Sequence, residues 1–350
     1  MIEAFWSQAG GKLADRWAAL SSSALVFWTG LVLVQVAEHG RGPTFDAVDR
    51  LLAHHGTATQ VLVLLAGLLA VAASGVVVQH LTAPALRLAE GYWPAVLRPV
   101  RDRRLARVGR RHGKREERWQ ELSPAVQGGT ATRHRLDEYA RLEAWLRRHP
   151  DRETDFMPTR VGNTLRAAET RPTDRYGVGV VTLWPHLWAV LPDARRQDVA
   201  AARLALDNAV AACLWAVLFV PASAPIAWWA PFPAAAVAVA AWTSWIPARA
   251  AVFADLVEAC YDLHRLDLYG ALGVPAPANR QQERAAGAAL TRSVLRGSEG
   301  GPLTAAGPGG AAGAGGAAAG RGARPALPAQ RSPRAARPVP RPRSGRRLPP

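Results

Sequence analysis

Apolar residues along this chain fall into four blocks separated by stretches dense in charge. Residues 17–37 carry no formal charge and centre on Ala24-Leu-Val-Phe-Trp-Thr-Gly-Leu-Val-Leu-Val34. As a helix this block is about 30 Å long, enough to cross a hydrocarbon core. A second uncharged stretch, 56–86, predicts a span over 57–80 with its most apolar part at 61–78. A third span is predicted at 207–228, through Leu214-Trp-Ala-Val-Leu-Phe-Val220, and a fourth at 232–248. Pro221, Pro225, Pro231 and Pro233 separate the last two, so they read as a tight, kinked hairpin rather than one long helix. The pattern predicts a mainly α integral membrane protein. Its four transmembrane helices form two hairpins, with a mostly helical cytoplasmic domain between them and a disordered C-terminal tail. One alternative concerns the first block: Lys12 and Arg16 ahead of it and Val34-Gln-Val-Ala37 at its end also fit a signal peptide. Its full-span length and the short linker to the next block favour a retained helix.

Between the hairpins the periodicity weakens. Residues 87–122 read as a highly charged helix with Pro94 and Pro99 near its start. Residues 124–132 read as a turn around Gly128-Gly129, and 133–148 as a second helix with a moderate apolar stripe, which together predict a helical hairpin. Further on, Thr159 or Asn163 can cap a helix that Leu165, Ala168 and Glu169 continue. Arg171-Pro-Thr-Asp-Arg-Tyr-Gly177 reads as a turn, and Val178-Gly-Val-Val-Thr-Leu183 as strand-like or buried extended chain. Asp193 begins a helix that runs into the third span, and a helix over 249–272 leaves the fourth. From 273 to 350 the chain is Ala, Gly, Pro and Arg with almost no large apolar residues, which predicts disorder.

Charge orients this scheme. The segment 87–205 holds 24 Lys plus Arg against 15 Asp plus Glu, whereas 38–56 holds Arg41 and Arg50 against Glu38, Asp46 and Asp49. Positive residues stay on the cytoplasmic side, so 1–16, the basic domain 87–205 and everything from 249 onward are expected there, with 38–56 outside. The formal net charge of +16 thus lies chiefly in the middle segment and the tail. The partners it implies are anionic lipids of the inner leaflet, each basic residue near that surface contributing about 1 kcal/mol. A protein partner on the cytoplasmic domain is also expected, as is a second copy of the chain, with Gly30 or Gly67 permitting close helix contact. Nucleic acid is not expected, since residues 300–347 contain no aromatic side chain on which a base could stack.

The least generic stretch is 158–192. Its Arg160, Asn163, Arg166, Glu169, Arg175, Tyr176, Trp184 and His186 are candidates for a polar and aromatic framework or a partner surface. On the helix after the fourth span, Asp255, Glu258 and Asp262 recur near one face at helical spacing. This acidic face is predicted to dock on Arg160, Arg166 and Arg175, with Asp262 against Arg166 as the pair to test. The combination Pro158-Thr-Arg-x-Gly-Asn-x-Leu-Arg-Ala-Ala-Glu169, Arg175-Tyr-Gly177 and Leu183-Trp-Pro-His-Leu187 resembles a family of bacterial, largely actinobacterial, multi-pass membrane proteins. Glu90-Gly-Tyr-Trp-Pro94, Tyr261-Asp-Leu-His-Arg265 and Leu268-Tyr269 extend the resemblance to roughly residues 60–275. It implies topology and a bacterial plasma membrane, and it implies no activity, substrate or catalytic residue.

Motifs of known chemistry are missing. No glycine loop leads to Lys-Ser or Lys-Thr, no nucleophile elbow occurs, and the two cysteines, Cys213 and Cys260, are far apart in sequence. His54-His55 is an adjacent pair whose side chains point apart on a helix or strand. No cofactor or metal is expected. No ionisable residue lies near the centre of a predicted span, where one would point to transport. The expected function is that of a non-enzymatic scaffold, sensor or partner-binding protein of the plasma membrane. An oligomeric channel or transporter component is the alternative, and an enzyme of unrecognised type the third reading.

Overall fold

A computed structural model describes residues 23–44, 46 and 56–297 of the chain. The segment 1–16, the start of the first block at 17–22, most of the 38–56 loop with His54-His55, and the tail beyond 297 lie outside the described residues. The described chain is mainly helical, with no strand among those residues. In order the helices are α1 (Ser23–His39), α2 (Thr57–Glu90), α3 (Arg98–Gln127), α4 (Arg133–Leu146), α5 (Arg160–Tyr176), α6 (Val180–Val190), α7 (Asp193–Ser223), α8 (Pro231–Ala240), α9 (Ile246–Ala271) and α10 (Arg280–Arg296). A π-turn at Ala241–Trp245 joins α8 to α9 without a break, the usual form of such a bulge inside a longer helix.

Three helical stretches are long and apolar enough to cross a membrane: one containing α2, then α7, then α8 through α9. The surface of α2 shows why lipid is the natural surround. The four consecutive residues Val61, Leu62, Val63 and Leu64 are all exposed; about 100° apart, they point to all sides of the helix, and a helix apolar on every side requires an apolar medium. The Ser23–His39 helix is shorter but packs with the others, Ala24 and Phe27 meeting Val78 and Trp215. A Cβ at Gly30 would lie 3.0 Å from the Phe219 ring, so this glycine serves a contact within the chain. A Cβ at Gly67 would meet nothing, so Gly67 faces outward.

These long apolar helices do not stop at the edge of the apolar zone. At 31 residues α7 is about 46 Å long, more than a hydrocarbon core requires, and its first turns carry Asp193, Arg195, Arg196 and Asp198. The predicted boundary at 205–207 therefore falls inside one helix, as does that at 248–249. Leu86, Val161, Leu206, Val210, Ile246 and Ala250 form one core where α2, α5, α7 and α9 meet. A second core, Val178, Leu183, Leu187, Val199, Tyr261, Leu268, Tyr269 and Leu290, holds α6, α7, α9 and α10 together.

Several local expectations are corrected. Residues 171–176 are the end of α5 rather than a turn, with Pro172 inside the helix and Gly177 closing it at φ 73°. The predicted extended run 178–183 instead enters helix α6, because Val180, Leu183 and Leu187 form a buried stripe at helical spacing; packing overrides the β preference of Val and Thr. Pro124 likewise lies within α3, leaving the turn to 128–132. Disorder from residue 273 onward does not hold for α10. The Asn279 side chain accepts from the Gln282 amide at 2.8 Å and caps it, and Leu290 is buried.

Candidate functional site

The acidic face of α9 is where the polar side chains converge. Glu258 is 5% exposed and receives Arg171 at 3.3 Å and Arg175 at 2.9 Å. Arg171, 7% exposed, also donates to the carbonyl oxygens of Leu146, Arg147 and His149. Those carbonyls close the C-terminal end of α4, where backbone acceptors lack helical donors and a cation is favoured. One guanidinium thus ties α4, α5 and α9 together. One helical turn earlier on α9, Asp255 forms a bidentate pair with Arg148, both distances 2.8 Å. One turn later, Asp262 accepts from Tyr176 Oη at 2.8 Å and lies 3.6 Å from Arg175. Partial burial and the Asp262 carboxylate push the Tyr176 hydroxyl above its ordinary pKa.

The acidic face therefore docks on α5, but through a different set of arginines from the one predicted. Arg175 takes part; Arg166 pairs instead with Asp155 at 3.1 Å and with Glu169 at 3.2 Å. Helix geometry explains this. Arg171 and Arg175 are one turn apart on one face, whereas Arg166 lies about 140° round the helix from Arg171. Arg160, the first residue of α5, is exposed and close enough to His149 to act on it electrostatically.

Asn163 is a framework residue, 1% exposed. Its amide accepts from Met157 N at 2.8 Å and donates to Met157 O at 2.7 Å and Thr159 O at 2.8 Å, pinning the chain that leads into α5. The cap is made by Thr159, whose hydroxyl accepts from Gly162 N and donates to Glu90 O at 2.9 Å. A Cβ at Gly162 would lie 1.9 Å from that Glu90 oxygen, so the start of α5 docks on the end of α2 with no room for a side chain. Trp184 sits beside Trp188 and Tyr261 and, with Glu90, Glu169 and Arg203, borders a cavity of about 250 Å³. His186 lies on α6 with an enclosed Nδ1 that makes no hydrogen bond.

Sequence reasoning missed Arg148, Arg171, Arg265 and Glu283. The last two pair at 2.6 Å and join α9 to α10. Arg171 was findable from its spacing of four to Arg175, and α10 from its Asn279-x-x-Gln282 cap. A cavity of about 670 Å³ lies between the end of α5, α9 and the start of α10, lined by Arg175, Tyr176, Arg265, Arg280, Glu283 and Arg284. No group of three or more His, Cys, Asp or Glu able to hold a metal occurs among the described residues. No family model matches the chain, and neither a curated protein nor a solved structure matches it.

Proposed function

We propose that the protein is a non-enzymatic scaffold or sensor of the plasma membrane that engages a protein partner through a helical domain on the cytoplasmic side. In this reading α1, α2, α7 and α8 to α9 are four spans in two hairpins, and both termini are cytoplasmic. The resemblance to actinobacterial multi-pass membrane proteins and the positive charge of 87–205 support that topology.

The observation that carries the proposal is the Arg171–Glu258 centre, which couples the spans to an exposed arm. Glu258 belongs to the helix that leaves the fourth span, and Arg171 grips the base of the α3–α4 hairpin. That hairpin is held along its seam by Trp119 stacked on Tyr139 and by Arg118 forked onto Glu138. The Arg118 guanidinium holds the Glu138 carboxyl below its ordinary pKa. In α3 His112 and Leu122 are buried, and in α4 no residue is. The arm thus offers a long basic surface to an acidic partner or to anionic headgroups. Photo-crosslinkers at exposed positions of α3 and α4 in cells are expected to capture one recurrent protein; capture of lipid alone refutes the partner reading.

A second reading, an oligomeric channel or transporter component, is favoured by a polar groove of about 270 Å³ between α1, α2 and α7. Ser23, Gln79, Thr82, Asp207 and Asn208 border it. Purified protein in proteoliposomes is expected to give no ion flux under the first reading and a measurable flux under the second.

A further inference from the structure

We infer that the arginine-lined cavity at the start of α10 binds a ligand bearing two or more phosphate groups. The volume of about 670 Å³ is that of a small-molecule site. Four guanidinium groups line it, and they are not equally neutralised. Arg175 is paired with Glu258 and Asp262. Arg265 is paired with Glu283 and lies over the Tyr176 ring, 4.4 Å from its centroid. Arg284 makes a hydrogen bond through Nε to the Arg175 carbonyl at 3.3 Å, and neither it nor Arg280 forms an ion pair among the described residues. Two positive charges therefore remain in excess at one mouth of the cavity.

Arg280 and Arg284 sit one turn apart on α10, a spacing at which like charges disfavour a helix slightly, and the carboxylate between them, Glu283, is taken by Arg265. Planar guanidinium forks match phosphate oxygens bidentately, and the N-terminal end of α10 adds partial positive charge of the same sign. A single carboxylate would balance one of the two arginines; a di- or triphosphate balances both. A soluble polyphosphate and a phosphorylated lipid headgroup share this chemistry. Arg265 lies about 25 Å along α9 beyond residue 248, where the fourth span is predicted to end, which favours the soluble source. The inference rests on the proposed function only for the side of the membrane. Binding to purified protein is independent of sidedness, so a failure of either reading is seen separately.

The test is calorimetric titration of the full chain in detergent micelles with inorganic tripolyphosphate, monophosphate and a water-soluble short-chain phosphorylated inositol lipid. Saturable binding of tripolyphosphate, at least about tenfold tighter than monophosphate, is expected. Arg280→Gln and Arg284→Gln, both at exposed positions, should each weaken it about tenfold or more, the scale of one charge-assisted contact. Arg292→Gln, exposed on the same helix away from the cavity, should leave it unchanged. Tighter binding of the lipid than of tripolyphosphate assigns the headgroup source, and the reverse assigns the soluble one. Absence of saturable binding by both, or an equal loss in Arg292→Gln, overturns the inference. Because the first of these readings uses the unsubstituted protein, it holds even if a variant fails to fold.

Discussion

Glu258 is the acceptor for two arginines, Arg171, nearly closed to water like Glu258 itself, and the half-exposed Arg175. Removing one member of such a group strands the other charge, at a cost of about 3–5 kcal/mol. Glu258→Ala is therefore expected to lower stability by that amount, measured by thermal or denaturant unfolding in detergent, and the double change Arg171→Met with Glu258→Leu by much less. A loss below about 1 kcal/mol in the single variant would place the pair outside the framework. His149 gives a pH signature. Burial, helped by nearby His112, Arg115 and Arg160, holds its imidazole at about 4, although its ring nitrogen meets the Trp145 carbonyl at 2.9 Å. Between about pH 4 and 6.5 the unfolded chain then binds more protons than the folded one, so stability falls as pH falls through that window and is undiminished above it. The total is at most about 3 kcal/mol. Unfolding temperatures compared at about pH 7.5 and about pH 5 should differ less in His149→Phe than in the native chain. At this scale the sequence disclosed the acidic face through its spacing. It did not disclose which arginines would meet that face, because their angular position depends on where α5 begins and on Pro172 remaining helical.

At the scale of elements, the three long apolar helices and the helices of the charged hairpin were legible because long periodic or uniformly apolar runs leave few alternatives. The segments missed were those shaped by contact. Helix α6 reads locally as β, and α10 is too poor in large apolar residues to show a stripe, its Asn279-x-x-Gln282 cap being the one local signal. What fixes α10 is close approach: a Cβ at Gly287 would lie 2.2 Å from the Tyr176 carbonyl, and one at Gly177 would lie 2.1 Å from that of Arg284. Thr291 completes the joint by accepting from Gly179 N at 2.8 Å. Gly287→Val should therefore release α10, exposing the 273–280 linker to limited proteolysis while α5 and α9 stay protected. Unchanged protection would mean that the Arg265–Glu283 pair and Leu290 suffice to hold the helix.

Across the described molecule, the same helices that are long and apolar enough to cross a membrane also carry the polar domain. α7 and α9 pass through both cores, and α2 ends on the cap of α5. A displacement among the spans therefore has a continuous route to the Arg171–Glu258 centre and to the α3–α4 arm, which is the physical content of the scaffold and sensor proposal. The continuity of α7 was legible, since a helix from Asp193 into the third span is expected from the sequence; the passage of α7 and α9 through both cores was not, because it depends on contacts between segments far apart in the chain. The most direct test is labelling of single cysteines by a membrane-impermeant maleimide. Ala144→Cys on α4 and Ala224→Cys at the turn between α7 and α8 are both exposed, in a chain whose own Cys213 and Cys260 are buried. Ala224→Cys is expected to be labelled in intact cells, and Ala144→Cys to react after permeabilisation alone. Labelling of Ala144→Cys in intact cells would contradict the proposed sidedness.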